Sequence, residues 1–314
     1  MKKSATSPGV IVPVPPHATF VAEVARPPRV TGLRLNTVLP VKGALTDVLG
    51  RLKEVTAPLG KALFVDLKGR QLRVKEAAVP PFTAVRLSHR IQLKTPCWAV
   101  FGSGRERARV LEVDGDRLIL EDGPRRVLGP GESVNIPDPS LEVEGVLTDR
   151  DAEYLAAMRA VGLDDVMLSF VESDDDVKAV TALLPSARVT AKVESQRGLA
   201  WARERGPALV KKGGRLMAAR GDLYTEVRRP HEVLRAVRDL LEADPATIVA
   251  SRICDSLAWG LEPSCPDISD VAWLLSAGAR SLMLGDEVCL KRDSVLSAIN
   301  LVDAVMDSET EVAA

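Results

Sequence analysis

Apolar residues fall along this chain in two alternating textures. Short apolar runs bounded by turn residues predict buried strands, and apolar stripes at three- and four-residue spacing predict amphipathic helices. The runs lie at residues 10–14, 32–38, 62–66, 165–170, 189–194, 215–219, 247–251 and 281–284. The stripes lie at 18–25, 41–57, 148–161, 173–184, 197–205, 230–242, 268–277 and 294–306. In the second stripe Leu45, Val48, Leu49, Leu52 and Val55 share one face, and the pattern stops near Pro58 and Gly60, as helices do. Thr148 and Ser173 stand where N-caps belong, and Asp174, Asp175 and Asp176 then occupy a first turn, where carboxylates favour the helix dipole.

Strands alternating with helices of this length predict parallel β/α units. Eight such units predict an α/β fold of the TIM (β/α)8 barrel type, with its site at the carboxyl ends of the strands. Between residues 75 and 145 the texture is different. Short β-prone runs at 84–87, 98–101, 108–113, 117–120 and 133–136 are broken by Gly and Pro, no helical period is visible, and Asp114-Gly115-Asp116 is a hairpin signal. The expected organisation is residues 1–74 as the first part of the barrel, 75–145 as a small all-β cap inserted over its mouth, and 146–314 as the remainder. The first residues of the proline-rich start are expected to be disordered.

Composition narrows the partners. Apolar residues make up 46% and charged residues 27% of 314, as in soluble globular chains. With 42 basic against 43 acidic residues, the net charge of -1 gives no support for nucleic acid or an anionic membrane. No apolar run approaches the ~20 residues of a membrane span. Met1-Lys2-Lys3-Ser4 has no apolar stretch behind it, so a cytoplasmic protein is expected. Cys97, Cys254, Cys265 and Cys289 are widely spaced without a C-x-x-C pair, which favours free thiols over zinc.

The candidate chemistry lies at strand ends. Arg34 and Asn36, Asp66 and Lys68, Lys192 and Glu194, Arg220 and Asp222, Ser251, and Glu287 all fall there. Residues two apart on a strand share a face, so Lys192 and Glu194 point the same way. Singly, each has a plain explanation: a solvated charge, an ion pair, a turn at Arg-Gly-Asp. Together they face one mouth, and a cation beside two carboxylates can hold a metal and an anionic substrate. Gly129-Pro130-Gly131 and Lys212-Gly213-Gly214 lack Walker spacing. Gly102-Ser103-Gly104 reads as a tight turn before a phosphate nest. His89 lies in the β module and completes no nucleophile arrangement.

These residues resemble those of pyruvate kinases. Lys192-Val-Glu-Ser-Gln-Arg-Gly198 is similar to that family's lysine–apolar–glutamate strand, and Met217-Ala-Ala-Arg-Gly-Asp-Leu223 to its M-V-A-R-G-D-L. Leu33-Arg34-Leu-Asn36 resembles R-L-N, and Val65-Asp66-Leu-Lys68-Gly69 with Arg73 resembles D-T-K-G-P-E-I-R. Val134-Asn135-Ile-Pro137 followed by Leu147-Thr148-Asp149-Arg-Asp151 resembles V-N-L-P and L-T-E-K-D. Ile268-Ser269-Asp270-Val271-Ala272 and Met283-Leu284-Gly-Asp-Glu287 resemble V-S-D-V-A and M-L-S-G-E. Order and spacing hold from about residue 10 to 300.

The resemblance implies Mg²⁺ (or Mn²⁺) on Glu194 and Asp222, and Lys192 offsetting charge on an enolate and a transferring phosphoryl group. It implies substrate carboxylate binding by Arg220, Gly221, Asp222 and Ser251, and phosphate binding by Arg34 and Arg73. It also implies a monovalent cation such as K⁺ on Asn36 and Asp66, and an orienting role for Glu287. The expected partners are phosphoenolpyruvate or a pyruvate-like acid and ADP or ATP, in a chain compatible with a homo-oligomer.

The departures bear on the reaction. Val38 replaces a serine of the cation site, Leu67 a threonine, and Arg70 and Gln71 the Pro-Glu pair. Glu132-Ser133 replaces the cap's lysine-glycine and opposes a polyphosphate, and the cap is short. With the last residue at Ala314, the family's allosteric C-terminal domain is not expected. The first expectation is phosphoryl transfer between phosphoenolpyruvate and a nucleoside diphosphate. The alternatives are a divergent enzyme running lyase or aldol chemistry on the same enolate without ADP, and a non-catalytic binding protein.

Overall fold

The computed structural model describes residues 8–102 and 104–312. The expectation for the first residues, and Ser103 of the Gly102-Ser103-Gly104 turn, lie outside the described residues. All eight expected strands form: β1 (Gly9–Val14), β2 (Val30–Asn36), β3 (Ala62–Leu67), β4 (Asp165–Leu168), β5 (Arg188–Val193), β6 (Arg215–Ala219), β7 (Ile248–Ala250) and β8 (Ser281–Met283). They pair in parallel as a closed barrel, and β8 returns to β1 with Gly9 opposite Ser281. The helices are α1 (Val21–Ala25), α2 (Leu45–Thr56), α3 (Asp149–Val161), α4 (Asp174–Leu183), α5 (Gln196–Lys211), α6 (Arg220–Glu226), α7 (Glu232–Ala243), α8 (Cys265–Ser276) and α9 (Arg292–Val312).

Strand periodicity builds both the core and the site. The strands are nearly all buried on both faces, which is why they read as unbroken apolar runs. The outward set packs under the helices in the main core. The inward set, including Ile11, Phe64, Met167, Met217 and Met283, fills the barrel as a small separate core. Two residues beyond Phe64 on the same face comes Asp66, and two beyond Met167 comes Ser169. A dry apolar floor therefore ends in a layer of polar side chains at the mouth.

Two helix starts hold the mouth in shape. Thr148 caps α3 in a reciprocal box with Asp151. The Asp151 carboxylate also accepts from the backbone of Lys68 (2.8 Å) and Gly69 (3.2 Å), just past β3. Gly69 has a φ of +50°, and a Cβ there would lie 2.7 Å from the Ser169 carbonyl oxygen, so only glycine fits. At α4, Asp176 boxes with Ser173 and accepts from Arg70 Nε at 2.7 Å.

Two of the departures from the helix pattern read in the sequence bear on the core and the site. α5 was expected over residues 197–205, before Gly206-Pro207, yet it continues to Lys211 with Pro207 inside. Gly206 lies against Leu216, and Trp201 and Ala202 are buried, so packing on β6 outweighs the hydrogen bond that proline removes. Arg220-Gly221-Asp222, read as a strand end and turn, is the first turn of α6.

The cap lies between β3 and α3. Its five-stranded antiparallel sheet runs, in spatial order, Ala84–Arg86, Arg117–Leu120, Glu106–Asp114, Cys97–Phe101 and Val134–Asn135. A second ribbon pairs Glu142–Val143 with Ile91–Gln92. Asp114 pairs with Arg117 across the hairpin, and Gly115 takes φ +62°. The cap has its own core, centred on Leu87, Ala99, Phe101, Val110 and Leu118.

Candidate active site

The polar layer at the mouth is a chain of buried charges. Lys192, inward from β5, places Nζ 2.8 Å from Ser169 Oγ, 3.2 Å from Glu194 Oε1 and 3.3 Å from Asp66 Oδ1. Asp66 is fully buried and also accepts from Arg34 Nη2. Burial alone would raise the Asp66 carboxyl, but Arg34, Lys192 and Lys68 hold it well below the usual carboxylate range. Burial works against the charge on Lys192 too, yet Asp66 and Glu194 hold its pKa above the ordinary lysine value. Both partners are therefore ionised at neutral pH.

The two carboxylates beyond Lys192 are held by different partners. Burial pushes Glu194 up to about 7, with the charge of Asp222 adding to it and Lys192 opposing. Its other oxygen, Oε2, accepts from the Phe170 backbone N–H at 2.8 Å. Asp222 is clasped by amides: Gln71 Nε2 donates to Oδ2 (2.9 Å) and Asn135 Nδ2 to Oδ1 (3.2 Å). Glu194, Asp222, Lys192 and Ser251 all line one cleft of ≈ 610 Å³ under the cap. No group of three or more His, Cys, Asp or Glu side chains that could hold a metal occurs among the described residues. Two hard carboxylates with room beside them suit a cation that takes its other oxygens from substrate and water, and a cation there would relieve the buried charge on Glu194.

The remaining expected residues take several positions. Arg73 lines the cleft and donates Nη1 to the Gly131 carbonyl at 2.6 Å. Glu287 lines the rim, its side chain 59% exposed. Gly221 also lines the cleft, where a Cβ would lie 3.3 Å from Ser251 Oγ. Arg220, expected on the substrate, turns elsewhere. It forms a two-pronged pair with Asp270 (2.7 and 2.8 Å) and donates to the Ser251 carbonyl at 2.9 Å. Its guanidinium thus ties α6 to α8 and the end of β7, which accounts for Asp270 in the Ile268–Ala272 motif. The expected K⁺ ligands are also engaged: Asn36 Oδ1 accepts from Lys68 Nζ at 2.9 Å, and Asp66 already meets Arg34 and Lys192. Burial pushes Lys68 down to about 7 despite Asp66, and the nearby cations Arg73, Lys192 and Arg34 add to the shift.

Three site residues were missed in the sequence. Asp286 stands where the similar motif has glycine; it pairs with Arg34 Nη1 and accepts from Asn36 Nδ2 at 3.1 Å. Ser169 supports Lys192, and a serine after a strand carries no distinguishing signal. Asn135, noted only as part of a motif, bridges Asp222 to the buried Glu226, 3.1 Å away. Glu132, whose sign opposes a polyphosphate, is paired with Arg126 (Nη1 to Oε2, 2.9 Å).

Burial raises Glu226 from 4.5 to about 7. An acid with a higher pKa when folded holds its proton more tightly than the unfolded chain does. Folding stability should therefore fall as pH rises from 4.5 through about 7. Glu226→Gln keeps an acceptor for Asn135 without the charge. It should match the wild type near pH 4.5 and exceed it by about 2–3 kcal/mol at pH 8, as read by urea denaturation at both values. Equal stability at pH 8 would show that Glu226 is ionised at no cost.

Among the described residues no helix is long and apolar enough to cross a membrane. A family model described as "Pyruvate kinase, barrel domain" matches residues 100–291. A pyruvate kinase of Agrobacterium vitis is 32% identical over 191 residues, covering 59% of this chain and 38% of that protein. One of Methanocaldococcus jannaschii is 23% identical over 303 residues, covering 90% and 66%. One of Thermoplasma acidophilum is 28% identical over 217 residues, covering 62% and 39%. This chain thus spans 38% to 66% of the length of these relatives. With its barrel matched over more than half its length, the chain belongs to the pyruvate kinase family.

Proposed function

We propose that this chain is a Mg²⁺-dependent enzyme that transfers a phosphoryl group between phosphoenolpyruvate and a nucleoside diphosphate, giving pyruvate. The observation that carries this reading is the Lys192 ammonium, fixed between Asp66 and Glu194 in the cleft that also contains Asp222. Glu194 and Asp222 would hold the divalent cation, Mg²⁺ or Mn²⁺, which supplies Lewis-acid polarisation of the substrate oxygens when bound. Lys192 would stabilise the negative charge that develops on the enolate oxygen as the phosphoryl group departs. The Gly221 and Asp222 N–H groups and the Ser251 hydroxyl would bind the substrate carboxylate. Arg73 and Arg34 would face the phosphate, and Glu287 would orient water or the loop. The residues expected to take K⁺ are engaged by the chain itself, Asp66 by Arg34 and Lys192 and Asn36 by Lys68.

A second reading, enolate chemistry on a pyruvate-like acid without ADP, is favoured by one feature. Asp286 and Asp66 each take a terminal nitrogen of Arg34, which leaves that guanidinium partly neutralised toward a phosphate. The test is pyruvate formation from phosphoenolpyruvate, ADP and Mg²⁺, coupled to lactate dehydrogenase. Turnover is expected, and Asp286→Gly should raise it about tenfold by freeing Arg34. No pyruvate from either protein would sink phosphoryl transfer. Deuterium exchange into the pyruvate methyl group with Mg²⁺ alone would then identify the second reading.

A further inference from the structure

Behind the two carboxylates lies a second cavity, of ≈ 470 Å³, at the hinge between cap and barrel. The catalytic reading does not use it. Its walls are largely apolar, with Leu72, Ile136 and Leu141 on the cap side and Phe170 on the barrel side. Concave apolar walls with a few polar groups are the usual form of a small-molecule site. Two of its arginines are already engaged. Arg70 pairs with Asp176 and donates to the Val143 carbonyl (2.8 Å), while Arg197 pairs with Glu172 and donates to the Leu141 carbonyl (2.7 Å). Both therefore clasp the segment by which the chain leaves the cap. Arg228 differs: it is exposed, lines the same cavity and makes no hydrogen bond or ion pair among the described residues.

The cavity also touches the supports of both carboxylates. Phe170 lines it and donates its backbone N–H to Glu194 Oε2 (2.8 Å) from a strained φ of +51°. Glu226 lines it too, and shares the Asn135 amide with Asp222 at 3.1 and 3.2 Å. The Asn135 Oδ1 atom is buried without a hydrogen-bond partner, so this bridge has an unused acceptor and can reorganise.

We propose that the hinge cavity is a second binding site, for a small molecule with an aromatic or otherwise apolar body and one anionic group. The body packs on Leu72, Ile136 and Phe170, and the anion meets Arg228. Occupancy shifts the supports of Glu194 and Asp222 and so alters the affinity for a divalent cation. That last step rests on the metal reading of these two residues; the binding site does not.

The probe is anilinonaphthalene sulfonate, an aromatic body with one anion, titrated into the full chain and followed by fluorescence. A saturable rise is expected, with affinity reduced about tenfold or more in Ala200→Trp, which fills the cavity from α5, and in Arg228→Glu, both melting like the wild type. No saturable rise, an affinity unchanged in both variants, or displacement of the probe by oxalate would overturn the site. Mn²⁺ affinity, read from the free-ion electron paramagnetic resonance signal, should change when the probe is saturating. An unchanged affinity overturns the coupling alone. Absence of Mn²⁺ binding with intact probe binding overturns the catalytic reading alone.

Discussion

Asp66→Asn is expected to destabilise the folded protein by about 3–5 kcal/mol, the cost of leaving buried charges uncompensated. Asparagine keeps the size and some of the hydrogen bonding but removes the anion on which Arg34 and Lys192 converge. Lys68 also loses its main compensating charge. The pH dependence has a definite sign. Asp66 has a depressed pKa when folded, so its contribution is complete above the ordinary aspartate value of 3.8 and is lost as pH falls below it. Urea denaturation at about pH 7 and at about pH 2, on either side of the ordinary aspartate value, checks both points. Adding Lys192→Met to Asp66→Asn should recover more than about 1 kcal/mol, because the two side chains are coupled. A cost for Asp66→Asn under about 1 kcal/mol would mean that water screens this layer as it screens a surface pair.

Lys192→Met is expected to lower turnover of phosphoenolpyruvate about 10²–10³-fold while Mn²⁺ still binds. The reason is positional. The ammonium is held on three sides by Asp66, Glu194 and Ser169, so it does not have to reorganise as charge develops on the substrate. The loss should fall on kcat more than on KM, since a charge that exists only during reaction is what the lysine meets. Steady-state kinetics of the coupled reaction provide the measurement. A variant that keeps kcat but loses substrate affinity would make Lys192 a binding group. Arg34 cannot substitute, because Asp66 and Asp286 already engage both of its terminal nitrogens.

The barrel was legible in the sequence because strands buried on both faces leave long apolar runs, and Asp66, Lys192 and Glu194 were legible because they end such runs with a charge. Elements set by distant contacts were not. Arg220-Gly221-Asp222 looked like a turn because glycine interrupts it, but the Arg220–Asp270 pair, 50 residues apart in sequence, anchors it as a helix start. The same pair turns the Arg220 guanidinium toward Asp270 and away from the lining of the cleft. Asp286 carries no local signal, because nothing around it in the sequence indicates that Arg34, 252 residues away, would find it. Thr148, Asp151 and Ser173 were correctly placed as helix-start residues or motif members. The further task of Asp151, holding the backbone of Lys68 and Gly69, depends on which strand its helix packs beside.

The separate core of the cap has a consequence for how the chain is made. The barrel cannot close until β8 emerges, because β1 pairs with β8 as well as with β2. The cap is different: its sheet and core come from one continuous stretch, Leu72 to Ile136. During synthesis it can condense on the ribosome while more than half of the barrel has yet to be translated, since domains generally fold as units and closely spaced contacts form first. The apolar faces of β1, β2 and β3 then stay uncovered until the last strand arrives, and that interval is when the nascent chain is most exposed to aggregation.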